Sequence, residues 1–532
     1  MEMTKRGVPG VWTYGFYDGW TPNYMFFIAH TKNAIGRFYE VQSYGPENYT
    51  ATAGATTTSR EWFRPNPPLP SIPWGPRANV NIQQSALLFS LSNVAKNREM
   101  YLDNYWIKTV RAVNRGKDGP TYGWVIPAQQ HAKANAAEAV NDLRRQGLEF
   151  HVATNAFKAG NIDVQPGDYI VRGDQPFRSI ADMYFPLQNF SPTNPSPYDD
   201  TGWTFPLMRN ITITPVTDKV LLSQAMTPVT ANVRAPGGIM GSGKTIVISN
   251  TSDNSMVSFR FRFPNVKMQA AEAEVDVGGK KLAAGAVIIA NANHAQLEPA
   301  LKELGLSAYA VARAPAVKVH DLDIPRIGYV HSWTRTQDEG WVRAAFDYYH
   351  VPYHYFGEPM LKHGNLRAKY DVIVYPHGGT GFNPAAPANA GADTGKAIPY
   401  MRSAEFPSLG YPDSTSDIRG GVGAEGMKAL YEFVQQGGTL ITEGSTASIF
   451  PTLGLAPGVK VETPAGLFAR GTILRGMISD RTSPLVYGYQ YGEVPVYFNS
   501  APVLNAGAGA QPVTITINPA RRAQVTTPMA TR

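Results

Sequence analysis

Short apolar runs alternate with amphipathic stretches along this chain, and glycine or proline fences each run. GWVIPA (123–128), LEFHVA (148–153), PRIGYVHSWT (325–334), YDVIVYP (370–376) and TLITEG (439–444) all have this form. Apolar runs this short, bounded by breakers, read as strands buried on both faces. Between them, 135–146 (closed by Gly147), 338–349 and 425–435 (closed by Gly437-Gly438) carry helical spacing. Strand–helix–strand order cannot close as a hairpin, so it predicts crossover helices on parallel sheets, an α/β class.

At 532 residues the chain exceeds one core, and a prior of roughly 150 residues per domain predicts several units. Residues 1–118 read as a first unit. A proline-rich connector, RPNPPLPSIPWGP (64–76), leads there into one long amphipathic helix from about Asn81. Residues 119–205 form an α/β unit built on a βαβ element. Residues 206–320 are β-rich, with strands expected at ITITPV, TIVISN, SMVSFRFRF, AEAEV and AVIIAN. Residues 321–500 predict a doubly wound α/β domain, and 501–532 a small, polar tail.

Composition removes several function classes. The chain has no cysteine, which excludes disulfides, thiolate metal sites and a cysteine nucleophile. The net charge of +7 is spread as pairs such as Arg144-Arg145 and Lys280-Lys281. Without a basic stripe interleaved with aromatics, no nucleic-acid partner is predicted. No apolar run approaches the ~20 residues of a membrane helix. GIMGSGKT (238–245) matches the phosphate-loop pattern, but polar, turn-like residues precede it and β-branched TIVIS follows. A phosphate loop needs a strand before it and a helix after it, so a glycine-rich hairpin is expected instead. The adjacent Asp199-Asp200 reads as an Asx-type turn.

Residues 11–43 place one carboxylate in apolar surroundings. Thr21-Pro22 predicts an N-cap and first helical residue, the helix ends near Asn33 and Gly36, and a strand over 34–41 ends on Glu40. On the residues alone, Glu40 is a strand-end side chain that reaches solvent or pairs with Arg37. Apolar neighbours would also raise its pKa toward the range useful for proton transfer.

The run YDGWTP…AIGRFYE, with TSREWFRPNPPLP (58–70) and NVNIQQSALLFSLSNVAKNRE (79–99), resembles the end of the catalytic domain of large bacterial zinc carboxypeptidases of the carboxypeptidase A-like kind. WVIPAQQ, GWVRAAFD, KYDVIVYP and SPLVYGY extend the resemblance over most of the chain. It implies that 1–118 is the C-terminal part of a carboxypeptidase α/β domain, and that Glu40 is the general base acting on a zinc-bound water. Tyr17 would close over a peptide or protein substrate. It also implies export, to the periplasm or outside. The 321–500 domain resembles a flavodoxin-like, class I amidotransferase-like domain, although no cysteine nucleophile is present. His331, His377 and Glu443 fall at its strand ends, and 378–401 reads as a long loop beside them.

The family binds zinc through His-x-x-Glu and a later His, all ahead of the catalytic Glu. None of the ten histidines here has Glu three positions later, and His350 and His354 are separated by Pro352. No metal ligand is therefore assigned. Zinc is expected only in a complete protein whose ligands lie outside this chain, as an arbitrary start or a lost domain would leave it, and the chain alone is expected to be inactive. The alternative is a non-catalytic accessory protein that binds a peptide or glycan.

Overall fold

The computed structural model describes residues 2–6, 24–41, 49–52, 71–188, 202–379, 382–386, 396–411, 413–419, 421–462, 464, 467, 469–499, 502–507 and 513–514. They form an α/β protein with several small sheets. The chain divides into two units. The first comprises Met1–Val125, Leu143–Pro186 and Thr214–Pro228; the second comprises Ile126–Asp142, Leu187–Ile213 and Val229–Arg532. Among the described residues, no helix is long and apolar enough to cross a membrane.

In the first unit, helix α1 (Met25–Thr31) ends where Asn33 turns into the left-handed region at φ 61°. Residues 35–41 then run without strand pairing, a departure from the expected strand. They lie against α1 itself: a Cβ on Gly36 would sit 2.3 Å from the Phe26 carbonyl oxygen, so only glycine allows that approach. The single long helix expected from Asn81 is two 21-residue helices, α2 (Pro76–Lys96) and α3 (Arg98–Asp118). The break falls at Asn97, whose side-chain amide donates to the Asn93 carbonyl at 2.8 Å and competes with the helix ladder.

The unit's five-stranded sheet contains β1 (Gly123–Ile126), β2 (His151–Ala153), β3 (Tyr169–Arg172), β4 (Thr214–Val216) and β5 (Met226–Pro228), in the order β4-β1-β3-β2-β5. β1 and β2 are joined by helix α4 (Lys133–Arg145), as the βαβ pattern implied. They are not neighbours, because β3 inserts between them and pairs antiparallel with β2. Arg178, in helix α5 (Arg178–Tyr184), is buried beneath this sheet, with its guanidinium over the Trp124 ring.

A six-stranded sheet opens the second unit: β6 (Gly238–Gly241), β7 (Thr245–Ile248), β8 (Gln269–Ala271), β9 (Val287–Ile289), β10 (Ser307–Val311) and β11 (Val319–Asp321), ordered β6-β10-β7-β9-β8-β11. Period-two alternation sends Ile246 and Ile248 into one buried cluster and Val247 into the other, so both faces are covered. SMVSFRFRF is not a strand but helix α6 (Ser255–Arg262). Its arginine–phenylalanine alternation mimics a strand, yet Met256, Phe259 and Phe263 share one helical face and pack into the core beside Ile246. The glycine-rich segment is not a hairpin either, because β10 lies between β6 and β7. Strands flank it on both sides, so no helix N-terminus faces a phosphate there.

A four-stranded sheet is fully parallel: β12 (Ile327–His331), β13 (His354–Gly357), β14 (Val372–Tyr375) and β15 (Thr439–Thr442), ordered β13-β12-β14-β15. Helix α7 (Gln337–Tyr348) crosses from β12 to β13, and α8 (Gly423–Gln435) precedes β15. Leu430 and Phe433 of α8 pack on Ile373 and Val330 of the sheet. His350, in the left-handed region after α7, and His354, opening β13, belong to a turn and a strand, as Pro352 implied. Asp199 and Asp200 lie outside the described residues.

Candidate functional site at the carboxyl edge of the parallel sheet

Parallel strands deliver their carboxyl ends to one edge, where open α/β sheets bind ligands. Here that edge collects His331 from β12, Gly357 from β13, the residues after Tyr375 from β14, and Glu443 after β15. α7 starts just beyond β12, so Asp338 and Glu339 in its first turn reach the same edge, where the helix dipole favours carboxylates.

His331 is 2% exposed, stacked on Tyr355 at 4.1 Å between centroids, with Trp333 edge-on at 4.5 Å. Its Nε2 lies 2.9 Å from Asp413 Oδ2, which also accepts the Gly357 N–H at 2.9 Å. Burial holds the imidazole below its ordinary pKa, against the pull of Asp413. The ring is therefore neutral near pH 7, with Nε2–H donating to Asp413 and Nδ1 buried without a partner.

Glu339 is 1% exposed. Its Oε1 accepts the Tyr355 hydroxyl at 2.5 Å, its Oε2 has no partner, and burial pushes its pKa up to about 7. The Arg343 guanidinium covers the Tyr355 ring at 3.9 Å. Burial also pushes Glu443 up to about 7 and raises Glu358, which accepts the Tyr375 hydroxyl at 2.7 Å. A carboxyl whose folded pKa exceeds its unfolded value loses stability as pH rises from the unfolded value, ~4.5, through about 7. We expect Glu339→Gln to be increasingly stabilising relative to wild type from pH 5 to pH 8, by on the order of 1–3 kcal/mol at the upper end. Urea midpoints of the two proteins across that range measure this, and a difference independent of pH would contradict it.

A second group sits at the ends of β14 and β15. His377 Nδ1 accepts the Ser445 backbone N–H at 3.0 Å and lies 3.1 Å from Ser445 Oγ. Ser445 Oγ accepts the Gly378 N–H at 3.0 Å, and His377 Nε2 faces Asp338 Oδ2 at 4.0 Å. Arg335 donates to the Gly378 carbonyl.

The residues singled out by sequence divide accordingly. His331, His377 and Glu443 share the edge. Of the loop over 378–401, residues 380–381 and 387–395 lie outside the described residues. Glu40 lies in the other unit, exposed, in the segment that α2 and α3 tether. Lys108 donates to the Ala34 carbonyl at 3.1 Å and Gln83 to the Tyr39 carbonyl at 3.0 Å; the Tyr39 and Ser90 hydroxyls are bonded. Tyr17 lies outside the described residues. Sequence reasoning missed Asp413, Glu339 and Ser445. Ser445 left a signal as the residue after glycine at a strand-to-helix turn in TEGS, and Glu339 as an acidic residue in the first turn of a helix that follows a strand end.

The chain matches no protein-family model, no curated protein and no solved structure.

Proposed function

We propose that this chain is part of a zinc metallocarboxypeptidase of the carboxypeptidase A-like kind, carrying the general base Glu40 and α/β accessory domains and acting on peptide or protein substrates after export. The sequence resemblance supports the class. The observation that carries it furthest is the surface around Glu40. The carboxylate is exposed on a segment fixed to α2 and α3, and those helices turn Leu88, Leu91, Met100, Leu102 and Trp106 outward, Trp106 with 67% of its surface exposed. Large apolar side chains exposed in such number on two neighbouring helices suit a surface that another body covers. A metal-holding body packed there would bury it and bring its ion to the proton acceptor.

Among the described residues, no group of three or more His, Asp or Glu side chains could hold a metal ion. The described residues do not fit zinc, and no step through a metal is derived from them. Purified chain is expected to contain far less than one zinc per molecule by elemental analysis. A value near one would place the ligands inside these 532 residues and overturn this arrangement. The class itself is tested by the coding sequence upstream: an in-frame His-x-x-Glu followed by a later His supports it, whereas a genuine start codon without them removes it.

A second reading draws on the parallel sheet. Its strand order 2-1-3-4 supports a flavodoxin-like, amidotransferase-like domain. Trp333, Tyr355 and Tyr400, interleaved with Asp413 and Arg335, suit capture of a peptide or glycan by a non-catalytic accessory protein.

A further inference from the structure

We propose that Ser445, His377 and Asp338 form a nucleophilic site, separate from Glu40 and needing no metal, that accepts the acyl group of a small ester. Three independent features of the fold converge on it.

The first is the turn. Strand β15 passes through Glu443 directly into a short helical stretch, Gly444–Ser448, with Ser445 as its second residue. Gly444 holds φ 54°, and a Cβ on it would stand 2.3 Å from His377 Nδ1. Only glycine supplies that backbone and lets the imidazole lie on the turn.

The second is the tautomer. Because Nδ1 accepts the Ser445 backbone N–H, it carries no proton, and the ring proton sits on Nε2 toward Asp338. Nδ1 is thus the basic nitrogen, its one lone pair shared between the Ser445 backbone N–H at 3.0 Å and the Ser445 hydroxyl at 3.1 Å. Burial holds His377 below the ordinary imidazole pKa, so it is neutral and able to accept a proton at pH 7.

The third is the environment of the oxygen. Ser445 Oγ accepts the Gly378 N–H, which stabilises the negative charge left as its proton departs. From solvent inward the side chains run Asp338, 45% exposed, His377, 14%, and Ser445, a residue 8% exposed. Because the nucleophile is the deepest of the three, the substrate is taken to be a small ester rather than a folded chain.

The chemistry closes without another reagent. Ser445 Oγ adds to the ester carbonyl carbon while its proton passes to His377 Nδ1. The tetrahedral adduct expels the alcohol, which takes that proton. Water then cleaves the acyl-serine by the same route, releasing the carboxylic acid and restoring Ser445. Asp338 acts through His377 as a positioning residue.

The test treats the whole chain with a fluorophosphonate probe and, separately, with p-nitrophenyl acetate. One phosphonyl group per chain on the peptide containing Ser445 is expected. Labelling should vanish in Ser445→Ala, slow at least tenfold in His377→Gln, and persist in the presence of a chelator. Asp338→Asn should lower the pH midpoint of labelling, because the carboxylate favours the imidazolium; an unmoved midpoint would remove Asp338 from the site. The chain has no cysteine, so Ser445→Cys introduces its only thiol. Iodoacetamide alkylation of that variant should titrate below the ~8.5 of a free thiol and move back up when His377→Gln is added. A buried serine that only supports the turn predicts the opposite, a thiol raised by burial and indifferent to His377. Absence of phosphonyl on Ser445, or a thiol indifferent to His377→Gln, overturns the proposal. Neither outcome bears on Glu40 or zinc.

Discussion

Gly243→Ala is expected to destabilise the second unit by roughly 2–4 kcal/mol, whereas its neighbour Lys244→Ala changes stability by less than ~0.5 kcal/mol. The difference follows from the path of the chain. Strands β6 and β7 have β10 between them, so the glycine-rich link must climb over the end of β10. Gly243 does so at φ 147°, and a Cβ there would lie 2.1 Å from the Val311 carbonyl oxygen. Alanine must adopt a backbone that side chains rarely tolerate, and it must also push a neighbouring strand. Lys244 is exposed, and its structural contribution is its carbonyl, which accepts the Ala292 N–H at 2.8 Å in either variant. Urea unfolding of both variants measures the ranking. Saturable nucleotide binding by wild type that Lys244→Ala removes would restore the phosphate-loop reading.

The larger loss is expected in the first unit. Arg178→Met should cost about 3–5 kcal/mol, the range for breaking a buried ion pair by removing one partner. Arg178 is 2% exposed and donates to Asp182 at 3.1 Å and to the Thr121 carbonyl at 2.9 Å. Methionine fills much of the volume but leaves the Thr121 carbonyl without that donor and Asp182 with only the more exposed Arg115, at 3.4 Å, and it gives up the stacking of the guanidinium on the Trp124 ring. Arg262→Met is the comparison. Its pair with Glu303 is about half exposed at both ends, so its loss should stay under ~1 kcal/mol. Equal urea midpoints for the two variants would show that Arg178 is not the fastener this geometry makes it.

Much of the parallel sheet was readable because periodicity and breakers agree there. YDVIVYP and TLITEG have only one compatible element, and Gly437-Gly438 stops the helix between them. The misreadings have physical causes. SMVSFRFRF satisfies period two and also places Met256, Phe259 and Phe263 at helical spacing, and packing chose the helix. The helix from Asn81 was continuous in pattern, because a side-chain bond at Asn97 does not disturb hydrophobic spacing. The glycine hairpin failed because an intervening strand comes from 69 residues further on, Gly238 against Ser307.

Sequence by itself determined the alternation of strands and helices, their α/β class, and the exclusion of thiol and disulfide chemistry in a chain without cysteine. Those are local or compositional properties. Only the tertiary structure decided which strands became neighbours and which side chains met at the sheet edge. Ser445 reaches His377 across 68 residues, and Asp413 reaches His331 across 82. A periodic pattern records that a face is buried but not what buries it. The partner is chosen by packing against segments whose distance along the chain leaves no mark in either local sequence.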